Sequence, residues 1–398
     1  MSDNRRLFLE LLGQTSPAPL LVEITGAEGI YLYGPAGEIY IDLISGVSVS
    51  NTGHGHPKVT AAVKAQADTY LHLMVYGEMV QSPQVSYAET LISLLPDPLN
   101  NCYFVNSGSE AVEGALKLAK KHTRRSRIVS FINAYHGSTH GALSVTGNEF
   151  LKNAFRPLLP DVYTIPYNNI SALDIIDKKT ACVIVEPVQA EAGVIYPKDD
   201  FLLSLRRRCS ETGTLLIFDE AQTGFGRLGE LFALQKFNVA PDVLVLAKAL
   251  GGGMPLGAFI SSREIMQSLA SDPPLGHITT FGGHPVCCAA GKASLDIIIS
   301  ENLHRSVKEK SELFKEYLNH KAVKEIRGDG LLIAVETGSR EITEYIIKNA
   351  PMHGLLLDYF LFCSTAFRIA PPLTIKPDEI KLACSKLAEL MDEALLKA

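Results

Sequence analysis

The sequence predicts an α/β protein built on a mostly parallel sheet, and three features of its middle section carry that expectation. Short, nearly unbroken apolar runs recur at Asn101–Asn106, Arg127–Ile132, Ala181–Glu186, Thr214–Asp219, Asp242–Ala247 and Gly257–Ser261, as expected of strands covered on both faces. Amphipathic segments of helix length lie between them: Glu110–Lys121 puts Val112, Ala115, Leu116 and Ala119 on one face, and Asp200–Glu211 does so with Phe201, Leu202, Leu205 and Cys209. Strand and helix alternate, which is the pattern of βα crossovers.

The two ends read differently. Residues 1–45 open with a short helix and continue as TGAEGIYLYGPAGEIYIDL, a stretch that predicts antiparallel strands joined at Gly turns. Beyond residue 295 the pattern is helical over Leu303–Leu318 and Asp378–Leu396, with short strands at Leu331–Val335 and Phe367–Ile369. Together they predict a smaller α+β unit assembled from both ends: residues 1–50 and 295–398 flank a large central domain over 51–294.

Composition limits the function classes. Hydrophobic residues make up 46% and charged residues 20% of the 398, with a net charge of -6, which suits a globular chain and gives no electrostatic case for nucleic acid. The basic residues Arg124, Arg125 and Arg127 next to Lys120 and Lys121 read as a solvated helix end followed by a strand start. No apolar run has the length of a signal peptide or a membrane helix. The seven cysteines form no C-x-x-C pair and lie mostly in apolar runs, so a reducing compartment, the cytoplasm, is expected. His54 and His56 sit in a Gly-rich turn before Pro57 and read as structural; no metal site is expected.

Ligands of open α/β sheets bind outside the carboxyl ends of strands, and three such ends carry unusual polar residues. In DVLVLAKALGGG an apolar strand delivers Lys248, followed at once by Gly251, Gly252 and Gly253. Partial desolvation there lowers a lysine's pKa and makes its free amine a usable nucleophile; a lysine that merely caps the strand is the plain alternative. In LLIFDEAQTGFGR, Asp219 ends an apolar strand, a costly place for an acid without a cationic partner. A protonated pyridine nitrogen would be such a partner; a helix cap or a metal ligand are the alternatives. The turn Asn106-Ser107-Gly108-Ser109-Glu110 leads from a strand into a helix, offering free N–H groups and the positive end of a helix dipole, which suits a phosphate as well as a simple cap. A phosphate cradle, a buried acid and an amine are together what pyridoxal 5'-phosphate needs.

These segments resemble the class III aminotransferases of pyridoxal-phosphate fold type I, the group that includes acetylornithine, ornithine and 4-aminobutyrate aminotransferases. The motifs are GHGHP (53–57), NSGSEA (106–111), YHGST (135–139), EPVQAEAGV (186–194), LLIFDEAQTGFGR (215–227), LAKALGGGMPLGA (246–258), HITTFGGHP (277–285) and RIAPPL (368–373). The resemblance implies a seven-stranded, mostly parallel sheet in the large domain. It also implies that Lys248 holds the cofactor as a Schiff base and that Asp219 pairs with the ring nitrogen. Gln222 reaches the ring hydroxyl, Tyr135 stacks on one ring face and Ala221 lies against the other, with His136 also at the cofactor. Ser107, Gly108 and Ser109 hold the phosphate. Thr280 reaches the phosphate of a neighbouring subunit, which implies a homodimer with shared sites and leaves a tetramer open. Arg368 binds a substrate carboxylate, and Glu191 pairs with that arginine while an ω-amine is processed.

The sequence departs from the family at Ser138, where ornithine and 4-aminobutyrate enzymes carry arginine, and at Ala221, His284 and Ile278. The expected reaction is a ping-pong transfer from an amino acid or ω-amino donor to a keto acid such as 2-oxoglutarate or pyruvate. A glutamate-1-semialdehyde-like aminomutase, a broad ω-amine transaminase and a non-catalytic cofactor-binding regulator are the rival expectations.

Overall fold

The computed structural model describes residues 3–397. Strands β4 (Asn101–Val105), β5 (Arg127–Phe131), β6 (Val162–Ile165), β7 (Thr180–Val185), β8 (Leu215–Asp219), β9 (Val243–Leu246) and β10 (Gly257–Ser261) form one seven-stranded sheet. Their order is β4-β10-β9-β8-β7-β5-β6, and β10 alone runs against its neighbours. Every residue of β7, β8 and β9 is buried, because helices cover both faces. Each Val, Ile or Leu so buried contributes roughly 1.5–3 kcal/mol.

A smaller α+β portion draws on both ends of the chain. Strands β1 (Gly26–Glu28), β2 (Tyr31–Tyr33) and β3 (Ile39–Asp42) form the antiparallel meander that the Gly turns predict, and β13 (Leu355–Leu356) joins β3 in parallel. A second sheet contains β11 (Glu325–Arg327), β12 (Ile333–Glu336), β15 (Ala366–Ile369) and β14 (Asp358–Tyr359), in that order. One core unites Ile30, Ile41 and Leu43 with Phe314, Phe367 and Leu387. The long apolar stripe of the final helix, Pro377–Lys397, closes it.

One expectation needs correction. The basic residues after the helix Gly108–Thr123 are not simply solvated. Arg124 is the left-handed C-cap. Arg125 donates to the carbonyls of Thr180, Thr212 and Gly213, and Arg127 pairs with Asp161 and Asp177. They tie the helix end to the sheet. His54 and His56 are structural: His54 Nε2 lies 2.7 Å from Asp42 Oδ2, and His56 caps the helix Pro57–Thr69. No described helix is long and apolar enough to cross a membrane.

Candidate active site

The carboxyl ends of β4, β8 and β9 converge on one cavity of about 450 Å³. Among its lining residues are Ser107, Gly108, Ser109, Tyr135, His136, Glu191, Asp219, Ala221, Gln222 and Lys248. Residues that are 141 positions apart in sequence, Ser107 and Lys248, therefore share a wall because their strands belong to one sheet.

Strand β9 ends at Leu246, and Lys248 follows with φ +53°. A left-handed backbone costs a non-glycine residue about 1–2 kcal/mol, and such strain gathers at functional sites. The lysine Nζ donates to Gln222 Oε1 at 3.1 Å. Burial pushes its pKa below the usual lysine value, and Arg368 adds to that; Glu191, Asp219 and Glu186 oppose it. An amine in this state is neutral at lower pH than an exposed lysine.

Asp219, at the end of β8, is 5% exposed and has both oxygens held. The Ala221 N–H donates to Oδ1 at 3.1 Å, and His136 Nδ1 lies 2.8 Å from Oδ2. The next residue, Glu220, faces away and accepts from the N–H groups of Ala233 and Leu234. Gln222 leaves its Nε2 buried without a partner. Such an atom costs free energy unless something in the cavity accepts from it.

The helix Gly108–Thr123 begins beside the ends of β8 and β9, where a Cβ on Gly108 would stand 3.2 Å from Ala247 Cβ and 4.0 Å from Ala221 Cβ. Ser107 is its N-cap and accepts from Glu110 N–H, while Glu110 Oε2 accepts from Asn106 N–H at 2.6 Å. The first-turn amides have no helical carbonyl to bond. Ser109 Oγ accepts from Ser138 N–H at 3.2 Å. Gly137 passes beside it with φ +125°, where a Cβ would stand 2.2 Å from Ser109 Oγ; only glycine lets the two chain segments meet. An amine, a fixed carboxylate, a spare amide donor and a helix start in one cavity fit a phosphorylated pyridine aldehyde.

Arg368 lies on β15, 1% exposed, and its Nη2 donates to Glu191 Oε1 at 2.6 Å. Glu191 lines the cavity and Arg368 stands behind it. Tyr135 is half-buried, with its hydroxyl 3.2 Å from Ser138 Oγ. Ser138 is exposed, and Lys248 is the one cation in the cavity lining among the described residues. Thr280 is exposed and is not part of that lining.

Comparison with known proteins identifies the group. A profile of the family described as Aminotransferase class-III matches residues 13–391.

The chain belongs to the class III aminotransferases. It is a pyridoxal-phosphate-dependent transaminase of fold type I. It is 39% identical over 375 residues to the acetylornithine aminotransferase of Methanopyrus kandleri, covering 93% of this chain and 94% of that one. It is 38% identical over 381 residues to the acetylornithine aminotransferase of Aquifex aeolicus, covering 94% and 98%. Among solved structures, ornithine aminotransferase from Toxoplasma gondii superposes with a TM-score of 0.92 at 29% identity, covering 99% of this chain and 95% of that one. A transaminase from the marine bacterium Virgibacillus superposes with a TM-score of 0.93 at 26% identity, covering 99% of both.

Two acids of this aminotransferase's site were not singled out from the sequence. Glu186 follows β7 and accepts from Tyr135 N–H at 2.9 Å and Ala190 N–H at 3.1 Å. Burial pushes its carboxyl up to about 7, with Asp219 adding and His136 opposing. The signal that marks Asp219, an acid directly after an apolar strand, was present at Glu186 too. Asp358 had no such signal; its place depends on the register of β14 against β15.

Proposed function

We propose that this transaminase takes the amino group from an ω-amino donor of the acetylornithine and ornithine class and passes it to 2-oxoglutarate. One observation carries the reading: the Lys248 amine and the Asp219 carboxylate open into the same cavity as the helix start at Ser107–Ser109. The names of the relatives supply the donor class.

Pyridoxal phosphate, when bound, supplies an electrophilic carbon for the donor amine and a ring that accepts the electron pair left on the donor carbon. Lys248 supplies the amine that holds it and, once freed, moves the proton at the donor carbon; its lowered pKa suits it to that task. Asp219 keeps a proton on the ring nitrogen, and His136 fixes the carboxylate at 2.8 Å. Gln222 offers its spare Nε2 to the ring hydroxyl. Tyr135 and Ala221, both in the cavity lining, would bracket the ring. Ser107, Gly108 and Ser109 bind the phosphate at the helix start.

Arg368 binds the carboxylate of the keto acid by a two-pronged contact, and Glu191 covers it while the ω-amine reacts. Thr280 completes the phosphate site of a second copy, which makes the working unit a homodimer. The cytoplasm remains the expected compartment.

The experiment is a donor panel read by absorbance on the cofactor-loaded protein. Acetylornithine or ornithine should remove the aldehyde form, and 2-oxoglutarate should restore it. Lys248→Ala should lower turnover by about 100-fold to 10,000-fold while the cofactor still binds non-covalently. Near wild-type turnover in that variant would rule the reading out, and conversion without any keto acid would favour an aminomutase.

A further inference from the structure

The segment that closes over the Glu191–Arg368 pair is a short piece of chain in which each residue touches the pair. Asp358 stands directly opposite Arg368 across β14 and β15, with Oδ2 3.6 Å from Nη1. The Tyr359 carbonyl accepts from Nη2 at 3.1 Å. The guanidinium carbon lies 4.7 Å from the centroid of the Phe360 ring. Leu361 N–H donates to Glu191 Oε2 at 3.1 Å.

Within this wrap the buried guanidinium is only partly satisfied. Its Nε and Nη1 have no hydrogen-bond partner. The 3.6 Å separation from Asp358 is too long for a hydrogen bond, so Asp358 acts on Arg368 as a charge. Lys248 also acts as a charge on Glu191 and Asp358, but in the cofactor-loaded protein its amine is engaged. Arg368 is then the one cation paired directly with the two carboxylates, and the cluster of Glu191, Asp358 and Arg368 carries an excess negative charge before any substrate arrives.

That excess has a direction. A substrate carboxylate entering at Arg368 meets the Asp358 charge even when Glu191 turns aside to admit it. A donor that enters as an ammonium, with no carboxylate beside its reacting carbon, meets an attractive potential. Opposite charges within about 4–6 Å favour one another and like charges oppose one another by amounts equivalent to one to three pKa units. Asp358 has a side chain 32% exposed, so solvent screening puts its effect at the low end of that range.

We infer that Asp358 is a specificity-determining residue: its charge handicaps carboxylates at Arg368 and so favours ω-amines and diamines over α-amino acids as donors. This rests on Arg368 being the carboxylate site. The substitution Asp358→Asn keeps the shape and removes the charge.

The test measures binding of glutarate, a dicarboxylate that cannot react, to the cofactor-loaded protein by calorimetry, beside KM and kcat of each half-reaction. In Asp358→Asn, glutarate should bind about tenfold more tightly and KM for 2-oxoglutarate should fall to match. KM for a diamine such as putrescine should rise, with the change carried by KM rather than kcat. Asp358→Glu should stay near wild type. Unchanged or weaker glutarate binding in Asp358→Asn overturns the inference. Arg368→Gln is the control: if it leaves glutarate binding intact, the carboxylate site lies elsewhere and the underlying reading has failed instead.

Discussion

Lys248 combines three physical peculiarities in one residue. It follows a fully buried strand, takes a left-handed backbone and carries an amine whose pKa burial depresses. The last two are unfavourable for stability taken alone, and a chemical task accounts for both. Glu186 is a second residue held at a cost. Its folded pKa of about 7 lies above the ordinary value of 4.5, so the folded chain binds a proton that the unfolded chain has released between those limits. Stability from this group is therefore fully present below the lower value and lost as pH rises through the upper one. The apoprotein of Glu186→Gln should show a Tm advantage over wild type that grows from about pH 5 to about pH 8. Calorimetric scans across that range check it; a flat or shrinking difference means that the carboxylate is stabilised in the fold.

At the scale of elements, the site is made by strand ends and one helix start. The helix Gly108–Thr123 is capped by Ser107 Oγ, which accepts from Glu110 N–H, while Glu110 Oε2 accepts from Asn106 N–H; Gly108 and Ser109 line the cavity. The approach of Gly137 to Ser109 is one of the tight points of this arrangement. Gly137→Val should displace Ser109 and weaken pyridoxal phosphate binding by about tenfold or more, with the circular dichroism spectrum unchanged. Fluorescence titration of the apoprotein measures it, and wild-type affinity would show that the helix start does not hold the phosphate.

The same elements explain what could be read in advance. Strands β4, β5, β7, β8, β9 and β10 agree with the sequence expectation to within a residue or so at each end; burial on both faces makes the runs of β7, β8 and β9 almost continuously apolar. Strand β6, VYTI, escaped because it is a sheet edge with only Ile165 fully buried. The helix Pro57–Thr69 escaped because it buries no residue and so carries only a weak apolar stripe. Residue types at strand ends pointed to Lys248 and Asp219, whereas the Asp358 contact depends on cross-strand register, which local pattern does not encode.

For the whole molecule, both chain ends build the portion that holds Arg368, and the central sheet holds Lys248. The buried Arg227 ties these parts together, bonding Ser45 and Asn51 from one end and the carbonyls of Leu331 and Pro371 from the other. Around Thr280, Leu275, Ile278 and Phe281 are 58%, 49% and 54% exposed, an apolar surface that a second copy would cover. The chain should therefore sediment as a dimer. Thr280→Val should weaken cofactor binding by roughly tenfold while leaving the dimer intact, the loss of one charge-assisted hydrogen bond. A monomer with full activity would contradict the shared-site arrangement.

The central claim is that the Lys248 amine holds the cofactor covalently. Borohydride reduction of the cofactor-loaded protein, followed by proteolysis and mass spectrometry, reads this directly. The predicted result is a single pyridoxyl-modified peptide with the adduct on Lys248, absent from Lys248→Ala. An adduct on another lysine, or none in a protein that still transaminates, would contradict it.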